Sequence, residues 1–302
     1  MANASNAKTK IGVIKETVFG TTPTTPSLVS QKFSTANFSL AKDELLDDSK
    51  SGNRGYLAAQ HGNKAYTATL SGPLTHTNYD TLLESAMFGA FTTNVLKRGE
   101  VRTSLSVEEA QSDISVYRLF KGVVGNTFTI DAPIDGLVTV SFDFLALTEV
   151  VGNTSADADG YTNFADKQPF THCGGTISEG GAPIAYVSSV SLNVNNNLTP
   201  DYVWGSCDTA DLIPGRVDVT GTLEVFFTSS VMYNKFVNKT ISSLEFTLSN
   251  GTDTLNFELP RIQYNGADVP VDSGSESRVV SLPFRAFIDP TEGTELIITR
   301  SV

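Results

Sequence analysis

The sequence predicts a mainly β protein built as two tandem β-sandwich or partly open barrel domains, each with a short flanking helix. Three observations point there. Thr, Ser, Val, Phe, Gly and Asn recur through a chain of 302 residues that is 40% apolar, the composition of a strand-rich protein. The clearest periodicity is two rather than 3.6. The segment SFDFLAL (Ser141–Leu147) is written again as SLPFRAF (Ser281–Phe287), matching Ser141 to Ser281, Phe144 to Phe284 and Ala146 to Ala286. A chain of this length is comfortable for two domains.

Taken in order, residues 1–36 form an N-terminal arm and first strand region. Its opening, MANASNAKTK, has no apolar core of the kind an export signal needs, and its GTTPTTP run shows no burial pattern, so the arm is expected to be ordered only by neighbours. The first domain covers 37–150. NFSL (Asn37–Leu40) starts a strand, and Lys42–Lys64 is too long for a simple hairpin connection and too charged for a core, which predicts a solvated loop. ATLSG (Ala68–Gly72) is the next strand. In THTNYDTLLESAMFG, Thr77 is the expected N-cap and Gly89 the stop, with Tyr79, Leu82, Leu83, Ala86 and Met87 on one buried face. Val138–Ala146 closes the domain with Val138, Val140, Phe142 and Phe144 inward and Thr139, Ser141 and Asp143 outward.

Residues 151–185, rich in Gly, Asp, Asn and Thr, read as an ordered linker, and 186–302 as the second domain. There SLNV (Ser191–Val194), a polar loop, GTLEV (Gly221–Val225) and SSVMYNKFVNK follow in the order already met. Leu223 answers Leu70, and Ser230 lies seven residues beyond Leu223 as Thr77 lies seven beyond Leu70. Met232, Phe236 and Val237 form a shorter apolar stripe. Leu40 to Leu70 is 30 residues and Val194 to Leu223 is 29, and Leu119 precedes its final strand about as Leu259 does. Agreement in order, element type and spacing along roughly a hundred residues identifies a tandem duplication.

The formal charge of −12 argues against a protein that grips nucleic acid, since phosphate binding relies on Lys and Arg releasing counterions. Cys173 and Cys207 cannot make a disulfide framework or a CxxC knuckle. His61, His76 and His172 are scattered and expected in turns or loops as surface imidazoles. No GxSxG, HExxH, Walker or GxGxxG motif occurs, so no catalytic site, cofactor site or metal site is expected. DADGYTNFAD (Asp157–Asp166) matches a calcium loop poorly, with its glycine too early and no terminal Glu. His172 and Cys173, adjacent on a strand, should face opposite ways. Trp204, in DYVWGSCD, suits either an interface anchor or local packing. No apolar run approaches the roughly 18 residues of a membrane span, and without a secretory route the Asn-x-Ser/Thr matches at Asn153, Asn197 and Asn238 carry little meaning.

Several strings resemble the major tail tube proteins of long-tailed (siphovirus-type) bacteriophages: GTTPTTP, AQHGNKAYTATLSG, YDTLLESAMFG, ISEGGAPIAYVSSVSLNVNNNLTPDYVWGS, GRVDVTGTLEVFF and FIDPTEGTELIITR, spread from about Glu16 to Arg300. The resemblance implies a structural virion protein with no enzymatic activity. It further implies subunits joined side by side into a continuous inner barrel, and rings stacked into a tube through which phage DNA passes without specific binding. The partners so implied are other copies of the chain, a tape-measure protein, a tail terminator and a distal tail initiator, with assembly in the host cytoplasm, residence in the virion tail and no membrane contact. Two domains per chain point to three chains per pseudo-hexameric ring. In that setting the outward residues Thr67, Thr69, Ser71, Thr139, Ser141, Asp143, Thr220, Thr222 and Glu224 would line the channel. Asp43, Glu44, Asp47 and Asp48, in the loop that in related tubes reaches the adjacent ring, would meet basic residues there. The alternatives are a β-sandwich receptor- or carbohydrate-binding tail protein and a capsid decoration protein, but the aromatic residues fall mainly on core-facing positions instead of an exposed platform.

Overall fold

The computed structural model describes residues 3–50, 52–270 and 277–301. The first half contains β1 (Thr9–Lys15), β2 (Val29–Ser30), β3 (Thr35–Leu46), β4 (Ala59–Pro73), α1 (Asp80–Met87), β5 (Val95–Lys97), β6 (Leu105–Gln111), β7 (Val116–Pro133), β8 (Thr139–Ala146) and β9 (Thr148–Gly152). The second half contains β10 (Thr171–Glu179), β11 (Ala182–Pro183), β12 (Val187–Asn195), β13 (Thr199–Asp201), β14 (Asp211–Ile213), β15 (Asp218–Phe226), α2 (Val231–Val237), β16 (Ser242–Ser249), β17 (Thr254–Tyr264), β18 (Val279–Ala286) and β19 (Ile297–Arg300). The fold is mainly β, with two packed sandwiches and one short helix on each.

One strand in each half serves both layers. The first part of β7 pairs with β6 and β9, and β6 pairs with β1, which builds an outer layer; the second part pairs with β8, and β8–β4–β3 completes an inner layer. In the second half β17 pairs first with β16 and β19 and then with β18, followed inward by β15 and β12. Apolar residues alternate toward the space between layers: Tyr66, Ala68, Leu70, Phe142 and Phe144 in one half, Leu223, Val225, Leu282 and Phe284 in the other, all buried.

The two halves correspond in register. Leu40 opposes Tyr66 as Val194 opposes Val219, Ala68 opposes Phe144 as Gly221 opposes Phe284, and Leu70 opposes Phe142 as Leu223 opposes Leu282. The match of Leu119 to Leu259 is one residue off. Phe120, buried and opposite Val107, is the counterpart of Leu259, buried and opposite Leu244; Leu119 points out of the core.

Other expectations need correction. Lys42–Lys64 is largely hairpin: β3 and β4 stay paired out to Leu46 and Ala59, and the described residues 47–50 and 52–58 beyond them belong to the tip. Beyond the sheet both faces meet solvent, so the period-two signal that marks a half-buried strand vanishes while the backbone ladder continues. The N-terminal arm has burial of its own, because β1 pairs with β6 and puts Ile11 and Val13 in the core, and Leu28 is fully buried. The segment 151–185 contains β10, an outer strand paired with β16, and is tied down by Glu108, which is buried and accepts from Ser155 Oγ (2.6 Å), Ala156 N (2.7 Å) and Tyr161 Oη (2.6 Å).

Helix α1 begins three residues after the expected cap. Thr77 has φ 66° and its hydroxyl donates to His76 O, while Phe88 ends the helix in the left-handed region at φ 51°. All five stripe residues are buried. In α2 nothing is buried: Met232 and Phe236 rest half-covered on the core, and Val237 is exposed.

Candidate channel face and assembly edges

The two inner layers are one sheet. Strand β7 pairs with β12 in antiparallel register from Pro133↔Ser189 to Thr127↔Asn195. The order is therefore β3–β4–β8–β7–β12–β15–β18–β17, eight strands shared by both halves. A row of cross-strand partners runs Thr35, Ser71, Ser141, Thr129, Asn193, Thr220, Arg285 and Gln263; the next runs Asn37, Thr69, Asp143, Thr127, Asn195 and Asp218.

All nine outward residues named from the sequence lie on this one face, with Thr67, Thr69, Thr139 and Asp143 exposed and Ser71, Ser141, Thr220, Thr222 and Glu224 half-buried. The contributions of β7, β12 and β18 complete it, although the reading named none of them; the alternation in SLNVN and SLPFRAF carried that signal. Local bonds hold the polar groups: Asn193 Nδ2 donates to Thr129 Oγ1 (2.8 Å) and Ser189 Oγ to a Glu224 carboxylate oxygen (2.8 Å). Partial burial holds the Asp143 carboxyl above its ordinary range. Arg285 is the cation in these rows, and it is ion-paired with Asp218. Asp131, Asp143, Asp218 and Glu224 leave the face net acidic.

Two edges of the sheet lack a strand partner among the described residues: the outer side of β3 and the end of β17 with the following residues. The joint between the halves is built around a bulge. A bulge at Asn126 interrupts β7. Asn196 N donates to Asn126 O (2.8 Å) and Leu198 N to Asn126 Oδ1 (2.8 Å). The buried Asn196 amide donates to Ala86 O (2.7 Å) at the end of α1 and to Gly125 O (2.8 Å). Leu198 and Leu212 then seal against Phe88, Val124, Leu145 and Leu147.

Of the four acidic residues expected in a loop, Asp43 and Glu44 lie on β3 and Asp47 and Asp48 in the hairpin tip; all are exposed. Trp204 is fully exposed, at 104%, which removes the local-packing reading. His61 lies in β4 and His172 in β10 instead of turns. His76 is in a turn but buried, with Nε2 3.2 Å from Ser301 O and Nδ1 3.6 Å from Asp253. Cys173 Sγ approaches His172 Nε2 to 3.4 Å, contrary to the alternation rule, because the register of β10 breaks between Thr171 and Thr176. The pair is exposed. Asp157 is buried and accepts from Leu28 N (2.7 Å) and Asp159 N (3.1 Å), so its carboxylate is occupied with backbone.

A family model described as phage tail tube protein matches residues 6–286, nearly the whole chain. The chain belongs to the phage tail tube protein family. That family is structural, not enzymatic, so the tail tube protein is a component of the virion tail. Among curated proteins, none matches it. No helix among its described residues is long and apolar enough to cross a membrane.

Proposed function

We propose that three copies of this tail tube protein close a pseudo-hexameric ring, with residues 37–150 and 186–302 as the two ring positions each chain fills. The observation that carries this is the antiparallel β7–β12 pairing, an edge-to-edge join between duplicated inner layers. Its repetition between chains pairs β3 of one copy with the end of β17 of the next. That leaves no open edge, the feature that otherwise invites disordered aggregation. Three eight-stranded sheets give 24 strands; at about 4.8 Å per strand and a tilt of about 40° the barrel is roughly 48 Å across its backbone, wide enough for a DNA duplex.

The face carrying Thr67, Thr69, Ser71, Thr139, Ser141, Asp143, Thr220, Thr222 and Glu224 then lines the channel. Hydroxyls and carboxylates dominate, Arg285 is paired internally with Asp218, and Arg261 stands at the β17 edge of the face, so phosphates find little cation to dock on. Rings stack through the hairpin tip, with Asp47 and Asp48, into a tube that takes a tape-measure protein in its lumen and a terminator and distal initiator at its ends, assembled in the host cytoplasm.

The test is a disulfide across the join. Duplicating the Thr129↔Asn193 pair between chains puts Asp268 opposite Ser39. In a chain with Cys173 and Cys207 changed to Ser, Ser39→Cys with Asp268→Cys should yield covalent oligomers ending at a closed trimer. A series ending at six refutes the three-chain ring.

A further inference from the structure

The bulge that organises the internal joint occurs twice. From Gly125↔Phe144 to Thr129↔Ser141, β7 advances four residues and β8 three; from Tyr264↔Phe284 to Asp268↔Ser281 the counterpart strands do the same. The extra residue is Asn126 in one copy and Asn265 in the other. Asn126 receives two backbone bonds from the segment after β12, whereas Asn265 is exposed, and its side chain makes no hydrogen bond among the described residues.

The helix ends correspond as well. Gly89 N donates to Glu84 O beyond Phe88 (φ 51°), and Thr240 N donates to Lys235 O beyond Lys239 (φ 50°). Along these offsets, the apolar Phe88, Val124 and Leu145 of the internal joint become Lys239, Gln263 and Arg285. Leu147 becomes Phe287, which is 39% exposed. On the opposite edge, counting on from Val194 and Leu40 past the end of the matched register, Leu198, the residue that seals the internal joint, falls at Glu44, and its neighbour Asn197 at Asp43. Both acids are exposed and make no ion pair among the described residues; Lys239 and Arg261 beside the second bulge make none either, although Arg261 lies near enough to Asp289 to attract its carboxylate.

We infer that the hairpin base of one copy seats on the rim of the second domain of the neighbouring copy in the same ring, Lys42 and Glu44 bonding Asn265 through their backbone N–H groups, with Asp43 and Glu44 facing Lys239 and Arg261. The joint within a chain is sealed by apolar side chains and keeps its ion pairs, Arg102–Asp211 and Lys64–Asp208, around that seal, whereas its duplicate between chains puts charge in the place of the seal. This rests on the proposed ring, and it assigns the base of the hairpin to contacts within a ring while the tip stays free to reach the next. Burying a pair of opposite charges favours correct partners over incorrect ones.

The experiment uses assembled tubes of the full chain. A carbodiimide, which joins a carboxylate directly to an amine, should link the Asp43–Glu44 peptide to the Lys239 peptide of another copy, as read by mass spectrometry. Asp43→Lys with Glu44→Lys should reduce the assembled fraction at least tenfold, and adding Lys239→Glu with Arg261→Glu in the same chain should restore it. Intact rings in which the hairpin base links to other lysines, or assembly indifferent to the reversal, overturn the seating while leaving the ring in place. Assembly that is not restored by the fourfold swap, despite an unchanged folded monomer by circular dichroism, also overturns it. Loss of the Ser39–Asp268 cross-link with the hairpin link retained would instead strike at the ring.

Discussion

Replacing Asn196 by Ala tests whether the two domains are locked by one buried amide. The side chain is 2% exposed, and both amide hydrogens are used, one on Ala86 O at 2.7 Å and one on Gly125 O at 2.8 Å. Ala86 O is one of the helix-terminal carbonyls that no intrahelical N–H can reach, and Gly125 O lies at the bulge, where the ladder is interrupted. Truncation strands both acceptors in a dry joint. At about 1–2 kcal/mol for each stranded group, the loss is about 2–4 kcal/mol. For a chain this long each kcal/mol moves Tm by about 2 °C, so a drop of about 4–8 °C is expected. Urea denaturation followed by far-ultraviolet circular dichroism measures it, with Asn193→Ala, which removes one bond on the open face, as the comparison. A loss below about 1 kcal/mol at Asn196, or equal losses at the two positions, would refute the lock.

Four further outcomes are expected. Thr69→Lys with Thr222→Lys puts two unpaired cations on the acidic face; each gains only about 1 kcal/mol beside a phosphate, but stacking repeats it along the tube, so DNA ejection should slow, and normal ejection kinetics would count against a channel face. Gly221→Ala should cost about 2–3 kcal/mol, measurable by thermal melting, since a Cβ there would sit 2.3 Å from Ser191 O and 2.4 Å from Phe284 Cζ. Asp143 is held above its ordinary range by burial, so its ionisation opposes folding: its contribution is most favourable below the unfolded carboxylate value of about 3.9 and declines as pH rises through the raised folded value. Asp143→Asn should flatten that decline and be no less stable at neutral pH by urea midpoint. Trp204→Ala should leave the monomer melting temperature unchanged, because the exposed indole in the β13–β14 loop touches nothing that it stabilises, while shortening tubes seen by electron microscopy; tubes of normal length would rule out an interface anchor there.

Legibility in the sequence followed burial. Strands with one dry face, such as Val138–Ala146, announce themselves by alternation, and so did the duplicated inner strands and the full stripe of α1. The β3–β4 extension did not, because a ribbon wet on both faces has no period to display. Residues Ile11, Val13 and Leu28 were missed because short apolar pieces in a polar arm become core only through partners distant in the chain, β6 and the segment around Asp157. The burial of His76 has the same origin: its contacts are Asp253 and Ser301. For the candidate face, every outward residue chosen by alternation shares one side of the sheet, but the strands that join them, β7 and β12, could be ordered only by knowing which edges meet.

Those edges also show why duplication did not leave two equal joints. The β7–β12 joint forms once, as the chain folds, and its Leu198, Leu212 and Val124 never face solvent afterwards. The corresponding free edge must stay soluble as a monomer before it finds a partner. Leucines at Glu44 and Lys239 would join the exposed Leu45, Leu46, Val237 and Ile241 into larger apolar patches, the kind that promotes indiscriminate association. Charges cost little while hydrated and discriminate on contact, because a neighbour slipped in register sets like charges together. Leu198→Glu in the internal joint should therefore destabilise the monomer by burying an unpaired carboxylate, whereas Glu44→Leu should spare the monomer and cause salt-insensitive aggregation. If Glu44→Leu left the monomer soluble and assembly still salt-sensitive, the division of labour between the two joints would not hold.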